Sequence, residues 1–320
     1  MLLLQRQKSN KLEVCKALQR RALLQPTEQK LLEDLTWRTT IGLEGEHRAD
    51  HFWQDLQLNV PYRLFHDIQV TRQHFHHQLD SVFICQHFAL IVELKHIGGE
   101  IFYDEAANQL WRVQGGERLA LGDPFSQVNR HEDWLQHFLW EIGVDMPILS
   151  AVVVTANRAI IGQMPKHVHM FKLEGLRLKL QQWLKQYPQV ISEEVLPLFS
   201  TELLKRHQPK KWQHPFGDLK LKTGALCECG RVMKYRYGVF ECACGVRCRN
   251  KFQEGLADYR LLVDEWITNK EFRQFFKIED MHVVNKILRR MQLANVGSTK
   301  SRKYFIPETI GEKNSHFTNE

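Results

Sequence analysis

The sequence predicts an α/β fold in which a mixed β-sheet is flanked by helices. Residues Ile148–Thr155 form a continuous apolar run rich in β-branched side chains, which is typical of a strand buried on both faces. The segment that begins at Asp123-Pro124 carries apolar residues at helical spacing, and proline is well tolerated near a helix start. Several short strand-like segments precede it, so the element order is helix, strands, helix, strand.

The elements can be assigned in chain order. Residues 10–40 have a mixed helical pattern with a break near Pro26, and a second amphipathic pattern leads from Gly42 to a stop at Pro61. A further amphipathic helix is expected at Leu173–Tyr187. The predicted strands are Tyr62–Phe65 with Ile68–Val70, Leu79–Cys85, Phe88–Lys95, Glu100–Tyr103, Leu110–Val113 and Ile148–Thr155.

The same patterns divide the chain into six expected segments. These are an N-terminal helical segment (1–40), the α/β domain (41–190), a linker (191–221), a cysteine-rich ribbon (222–250), a helical unit (251–306) and a tail (307–320). A chain of 320 residues is long enough for two or three domains, each with its own core. No apolar run approaches the ~20 residues of a membrane span, and the apolar start is interrupted at Gln5, so a cytoplasmic protein is expected.

The positive charge is concentrated in the C-terminal third. Residues 1–200 contain 21 Lys/Arg and 23 Asp/Glu, a net charge of −2, whereas residues 201–320 contain 23 and 14, a net charge of +9. This distribution suits a polyanionic partner, although a moderate net charge also serves solubility. Nucleic acid is therefore the expected partner of the C-terminal part.

An aspartate and a Glu-x-Lys motif lie on two neighbouring predicted strands. Side chains along a strand alternate between faces, so Glu93 and Lys95 point to one side and Leu94 to the other. If the strands pair as a hairpin, Asp80 comes alongside. Carboxylate oxygens suit a hard cation such as Mg²⁺, and a nearby lysine can orient or help to deprotonate a bound water. The pattern indicates phosphodiester chemistry, although charged residues also end strands where a strand reaches solvent.

Five of the seven cysteines lie within residues 227–248 and form a cluster. Four of them occur in two Cys-x-Cys-Gly knuckles on either side of a predicted hairpin: Cys227, Cys229, Cys242 and Cys244. Four thiolates from two turns are typical of structural Zn²⁺, whose binding would supply the folding energy of so small a module. One residue between the cysteines is fewer than usual, so Cys248 is an alternative ligand and a redox pair is the competing interpretation.

The first 180 or so residues resemble the nuclease-related domain (NERD) family of the PD-(D/E)xK nuclease-like superfamily. The matching pieces are Gly42-x-x-Gly45-Glu46, Gln78-Leu79-Asp80, Glu93-Leu94-Lys95, Gly99-Glu100-Ile101 and Asp123-Pro124-Phe125-Ser126-Gln127 with His131 one turn beyond. The resemblance implies a restriction-endonuclease-like mixed sheet. No proline precedes Asp80, which departs from the superfamily name but removes no metal ligand.

The resemblance also implies roles for individual residues. Asp80 and Glu93 would bind Mg²⁺ or Mn²⁺, with the Leu94 carbonyl as a further ligand, and Lys95 would activate or orient the attacking water. Glu46 would be a further ligand or proton acceptor, and Gln127 would orient the lysine or a phosphate. Glu46 could instead favour the helix dipole, and Gln127 could be a cap or surface residue.

The histidines at 74, 76 and 77 have irregular spacing, so exposed turn residues are expected there and not a transition-metal site.

The C-terminal segment resembles a winged helix-turn-helix. Residues 255–266 would form its first helix, Thr268 and Glu271 give a capping-box signal, and Asp280 is a candidate cap for a recognition helix. The residues expected to contact nucleic acid are Lys210, Lys211, Lys222, Lys234, Arg236, Lys286, Arg289, Arg290, Lys300, Arg302 and Lys303. Packing or dimerisation is the alternative role of these helices.

The resemblance and the charge distribution together imply a metal-dependent nuclease that hydrolyses DNA, with Mg²⁺ (or Mn²⁺) at the carboxylates and Zn²⁺ in the ribbon. Two alternatives belong to other classes. One is a non-catalytic nucleic-acid-binding or regulatory protein on a nuclease-like fold, and the other is an adaptor for a protein partner.

Overall fold

The computed structural model describes residues 1–162, 164–165, 167–298 and 301–310. Its α-helices are α1 (Asn10–Arg21), α2 (Pro26–Gln54), α3 (Pro124–Glu141), α4 (Leu176–Gln186), α5 (Val195–Arg206), α6 (Lys251–Leu262), α7 (Asn269–Phe276) and α8 (Met281–Met291). The strands of its first part are β1 (Leu2–Leu4), β2 (Tyr62–Arg72), β3 (Phe75–Cys85), β4 (Ala89–Lys95), β5 (Gly99–Asp104), β6 (Gln109–Gln114), β7 (Glu117–Leu121), β8 (Ile148–Val154), β9 (Ala159–Ile161) and β10 (Met170–Lys172). Those of its last part are β11 (Ala225–Leu226), β12 (Val232–Arg236), β13 (Val239–Glu241), β14 (Arg247–Cys248), β15 (Trp266–Thr268), β16 (Asn295–Val296) and β17 (Lys303–Phe305).

The chain forms two compact units. The first comprises Met1–Lys8 and Arg38–Lys211, and the second comprises Ser9–Trp37 and Trp212–Glu320. Among the helices described, none is both long and apolar enough to cross a membrane.

The first unit is built on a six-stranded mixed sheet, as the sequence predicts. Its strand order is β1-β2-β3-β4-β8-β10. Strands β2, β3 and β4 pair antiparallel, whereas β4 with β8 and β8 with β10 pair parallel. A second sheet of order β7-β6-β5-β9 belongs to the same unit. The mixed sheet with helices around it confirms the predicted fold class.

Helices cover both faces of the large sheet. On one face, Phe83 and Val92 pack with Trp53 of α2 and Trp183 of α4. On the other face, Val82, Ile84 and Ile91 pack with residues of α3 and α5. Because strand side chains alternate, Asp80, Glu93 and Lys95 share this second face with Val82 and Ile91. Asp80, Glu93 and Lys95 therefore lie on the face of the sheet that α3 covers.

The structure corrects the predicted boundary near Gly42 between one helical segment and the next. Helix α2 continues through Gly42 and Gly45 without a break. A Cβ atom at Gly45 would lie 2.4 Å from Thr155 Oγ1 and 2.6 Å from the His96 Cβ. Gly45 is therefore required for close packing of the helix, where the sequence pattern indicated a helix boundary.

Residues 191–221, expected as a linker, contain a helix. Helix α5 lies within this range, and its fully buried Leu196, Phe199 and Leu203 recur at helical spacing and join the core beneath the sheet. Pro197 concealed this helix in the sequence, but proline in a first helical turn removes no helical hydrogen bond.

The N-terminal segment 1–40 is also divided differently from the prediction. Residues Leu2–Leu4 form strand β1, which pairs parallel with β2. Helix α1 belongs to the second unit, where Arg21 is 1% exposed and forms an ion pair of 2.7 Å with Asp258 on α6. Arg21 also donates hydrogen bonds to the carbonyls of Lys222 and Gly224 at 3.0 and 2.9 Å.

The second unit contains a ribbon followed by a winged-helix arrangement. Its ribbon sheet has the order β11-β12-β13-β14, and the following elements run α6-β15-α7-α8-β16-β17. The Thr268–Glu271 capping box and the Asp280 N-cap are both present. The predicted first helix at residues 255–266 lies earlier, at Lys251–Leu262, because Trp266 pairs with Phe305 as a strand.

Candidate functional site

Pairing of β3 with β4 brings Asp80 next to the Glu-x-Lys motif. Ser81 is the register partner of Val92, so Asp80 and Glu93 face each other one step further along this antiparallel pair. The Asp80 carboxylate also accepts a hydrogen bond from the backbone N–H of Leu94 at 2.8 Å. Two strands that are adjacent in sequence therefore place two carboxylates on the face beneath α3.

Lys95 connects this pair of strands to helix α3. Its Nζ donates hydrogen bonds to Glu93 Oε1 at 2.7 Å and to Gln127 Oε1 at 3.2 Å. Asp123 fixes the start of α3 by accepting the backbone N–H groups of Phe125 and Ser126. Gln127 therefore contacts Lys95, and the cap of this helix is Asp123 and not Gln127.

Glu93 is a buried carboxylate, and only one of its two oxygens is hydrogen-bonded to a described residue. Among the described residues, its Oε2 atom has no hydrogen-bond partner, and neither has the buried His131 Nδ1, which lies 3.9 Å from it. Burial, followed by the nearby Asp80 charge, raises the pKa of Glu93 to about 8. Burial lowers the pKa of His131 to about 4, so its imidazole is neutral at pH 7. The site thus holds a carboxylate oxygen that no described group of the protein satisfies.

Sequence reasoning missed a buried arginine at the edge of this site. The Arg6 side chain is only 4% exposed and forms ion pairs with Glu46 at 2.9 Å and Asp50 at 3.2 Å. Its Nη2 atom also donates to the backbone carbonyl of Asp80 at 3.2 Å. Burial raises the pKa of Glu46 to about 7, although the Arg6 charge opposes this rise. Asp50 lies one helical turn beyond Glu46, a spacing that could have signalled a shared face.

Deprotonation of all four carboxylates around the site would leave a deficit of positive charge. Ionised Glu46, Asp50, Asp80 and Glu93 would contribute −4, and the only cations that contact them are Arg6 and Lys95 in the described part of the chain. A divalent cation would balance this excess, and the unpartnered Glu93 oxygen is a suitable donor. However, no three acidic side chains among those described have ligand atoms within 4.8 Å of one another. The donor set fits a hard cation, but the carboxylates are not gathered around one point.

The raised pKa of Glu93 gives a testable pH dependence. The folded protein keeps a proton on Glu93 up to about pH 8, whereas the usual carboxyl pKa is 4.5. The folded state therefore binds more protons than the unfolded chain between these values, so the free energy of unfolding falls as the pH rises. We expect Tm, measured by calorimetry without Mg²⁺ or Mn²⁺, to fall from pH 5 to pH 8 and to fall less in Glu93→Gln. An equal fall in both proteins would contradict the assignment.

The four cysteines of the two knuckles come together in the ribbon. They are the only described group of three or more His, Cys, Asp or Glu side chains whose ligand atoms all lie within 4.8 Å of one another. The Sγ atoms of Cys227 and Cys244 are 3.6 Å apart, and those of Cys229 and Cys242 are 3.5 Å apart. An edge of a tetrahedral zinc–sulfur site with bonds of about 2.3 Å is about 3.8 Å long. The cluster could hold a metal ion without large movements.

The two knuckles have the same backbone structure, which explains how one intervening residue suffices. In each, the first cysteine donates its N–H to a carbonyl four residues on and accepts the N–H of a glycine: Gly230 for Cys227 and Gly245 for Cys242. Both glycines have positive φ, 79° and 92°. Cys248, the alternative ligand, is outside the four-cysteine group, because it pairs with Phe240 on strand β14.

The cationic side chains expected to contact nucleic acid have different positions. Lys210 and Lys211 are exposed at the end of the first unit, and Lys222 is exposed before the ribbon. Exposed positions on the ribbon hairpin, on α8 and on β17 are occupied by Lys234, Arg236, Lys286, Arg289, Arg290 and Lys303. Arg302 is half-buried, and Lys300 lies outside the described residues. His74 lies exposed in the turn before β3, as expected. His76 and His77 belong to strand β3 instead, where His76 is exposed and His77 is half-buried against His131.

Comparison with known proteins bears on the first unit. Residues 41–155 match the family model described as nuclease-related domain, NERD. This range contains Glu46, Asp80, Glu93, Lys95 and Gln127. No curated protein and no solved structure matches the chain. The match covers 115 of the 320 residues, and all of them lie in the first unit.

Proposed function

We propose that this protein is a metal-dependent nuclease that hydrolyses phosphodiester bonds of DNA. The observation that carries the proposal is the arrangement of Lys95, which bridges Glu93 and Gln127 while Asp80 lies opposite Glu93. The match of this region to a nuclease-related domain supports the same reaction class.

The carboxylates would hold the cation. Asp80 and Glu93 supply anionic oxygens, the backbone carbonyl of Leu94 is a further donor, and Mg²⁺ or Mn²⁺ prefers such ligands. When bound, the ion supplies charge stabilisation for the phosphate and activates water. Arg6 forms ion pairs with Glu46 and Asp50, and Glu46 would serve as a further ligand or proton acceptor.

Lys95 would position the nucleophile. Its ammonium group is held by two acceptors and is 28% exposed on its side chain, so one donor can still reach water or a phosphate oxygen. Gln127 restricts the lysine to this position, and His131 closes the site behind Glu93.

The ribbon and the winged-helix unit would bind the nucleic acid. We propose Zn²⁺ for the four cysteines, because a closed tetrahedral thiolate site is typical of structural zinc. Helix α8 presents Lys286, Arg289 and Arg290 on its exposed side, while Val284, Ile287 and Leu288 face the core. In a winged helix, this is the helix that enters the major groove, which favours DNA as the substrate.

The proposal is tested by a cleavage assay on single- and double-stranded DNA. We expect the wild-type protein to cleave when Mg²⁺ or Mn²⁺ is added and Glu93→Gln to be inactive, because the amide cannot supply an anionic ligand. Circular dichroism and DNA affinity should be the same for both proteins. Equal cleavage by both would show that this site is not responsible.

One observation favours a second function. The acidic ligand atoms are not gathered as those of the cysteine cluster are, which is consistent with a non-catalytic DNA-binding or regulatory protein. In that case no divalent metal would give cleavage by the wild-type protein, while its DNA binding would remain strong and salt-dependent.

A further inference from the structure

The tip of the ribbon hairpin has an unusual residue. Strands β12 and β13 are joined by Tyr237 and Gly238 alone, and Arg236 pairs directly with Val239. Both turn residues have positive φ, 47° and 83°. Positive φ at both positions is characteristic of a type I′ turn, in which asparagine or aspartate is preferred before the glycine. Tyrosine in this conformation is an outlier, because its bulky side chain disfavours the left-handed region.

The Tyr237 ring does not pack against the described part of its own chain. Tyr237 is 103% exposed, the largest exposure of any large hydrophobic side chain in the described ranges. The other positive-φ residues of the described chain that are not glycine are Asp67, Gln73, Asn108, Lys277 and Gln292, all polar. A fully exposed aromatic ring on an unfavourable backbone points to a contact outside the protein.

The strands of the hairpin are anchored in the core, so the turn that carries the Tyr237 ring extends from a packed structure. Tyr235 and Phe240 pack against each other and against Phe252 of α6, with ring centroids 5.0, 5.1 and 4.6 Å apart. The four-cysteine cluster lies at the other end of the same strands. Of the aromatic residues in and near the ribbon, these two belong to its core, whereas Tyr237 does not.

The surroundings of the ring are cationic. Residues 231–249 contain five Lys/Arg and one acidic residue. Lys234 and Arg236 are exposed on the same side of β12 and form no ion pair with any described residue, and the single acid, Glu241, is paired with Arg247 at 2.8 Å. An exposed ring that follows two unpaired cations in the chain suits a strand that offers both phosphates and free base faces.

We propose that Tyr237 is a stacking platform for an unpaired base, so that the ribbon binds single-stranded DNA. Arg236 and Lys234 would hold the adjoining phosphates. The inference rests on the nucleic-acid binding of the proposed function and specifies its substrate class: a strand, end or junction that exposes unpaired bases. A ring can stack on a base face only where pairing and neighbouring bases leave that face free.

The test uses the full-length chain carrying Glu93→Gln, which prevents cleavage. In this background, Tyr237→Asn is compared with the protein that retains Tyr237. Asparagine before Gly238 suits the type I′ turn, so Tm should stay the same or rise while the ring is lost. Fluorescence anisotropy would measure affinity for a labelled oligo(dT) and for an oligomer of equal length made of abasic deoxyribose phosphates. We expect Tyr237→Asn to bind oligo(dT) about 5- to 100-fold more weakly and the abasic oligomer equally well.

Two further variants separate stacking from charge. Tyr237→Trp should bind oligo(dT) at least as well as the wild-type protein, because a larger ring retains stacking. Arg236→Gln should lower the salt dependence of log K by about 0.7 for a single strand, whereas Tyr237→Asn should leave it unchanged. Two results would overturn this inference and leave the proposed function standing. One is equal affinity of Tyr237→Asn and of the protein with Tyr237 for oligo(dT), and the other is an equal loss of affinity for oligo(dT) and for the abasic oligomer. Failure of the wild-type protein to bind any DNA would overturn the proposed nucleic-acid binding as well.

Discussion

Replacing Lys95 by methionine is expected to lower the rate of metal-dependent DNA cleavage by about 10²- to 10⁴-fold, the range typical of a positioned acid–base group. Methionine keeps the length of the side chain but removes the ammonium group that contacts Glu93 and Gln127. The affinity for DNA should change little, because the lysine is one cation among many. Single-turnover cleavage at saturating protein measures the chemical step, and anisotropy with Ca²⁺ in place of Mg²⁺ measures the affinity.

The matched control is Lys205→Met. Lys205 contacts Glu202 at 2.7 Å, the same separation as between Lys95 and Glu93, but the Lys205 side chain is 64% exposed. An exposed pair of this kind contributes little, so this variant should cleave at the wild-type rate. If Lys95→Met kept more than a third of the wild-type rate, or if both variants lost activity equally, Lys95 would have no special role in the chemistry.

Residues of the candidate site differ in how far the sequence could predict them. The proximity of Asp80, Glu93 and Lys95 could be predicted, because two short strands joined by a tight turn must pair, and the two-residue period then fixes the face of each side chain. The presence of Arg6 beside them could not be predicted. The contacts of Arg6 lie 44 residues away at Asp50 and 74 residues away at the Asp80 carbonyl, and no local pattern records so long a separation.

The fold shows the same division between local and distant information. The caps of α7 and α8 at Thr268 and Asp280 are encoded within four residues, and both were predicted. Strand β7 was missed because its residues Glu117–Leu121 are almost all exposed and show no apolar alternation. It forms by pairing with β6, which is a tertiary effect and not a local preference.

Loss of the cysteine cluster is expected to have the largest effect on stability. Cys227 and Cys242 belong to the same hydrophobic core as Phe252 and Phe272, so the ribbon supports the core of the whole second unit. Structural zinc contributes about 10–16 kcal/mol of apparent binding energy in small zinc modules. We therefore expect Cys242→Ser to release its zinc and to unfold the ribbon and part of this core, lowering Tm by more than 10 °C, by the scaling of about 2–4 °C per kcal/mol.

The control for this prediction is Cys248→Ser, which should keep one zinc ion per chain and a Tm within a few degrees of wild type. Cys248 is half-buried, and its strand contact with Phe240 is made by the backbone, which serine preserves. Zinc content after gel filtration and calorimetry of the same samples would decide between the two cysteines. Zinc lost from Cys248→Ser but retained by Cys242→Ser would reassign the ligands, and no zinc in the wild-type protein would favour a redox role for the knuckles. Comparison of Cys242→Ser with Cys248→Ser thus distinguishes a ribbon stabilised by zinc from a redox role of the thiols, which four nearby sulfur atoms would also permit.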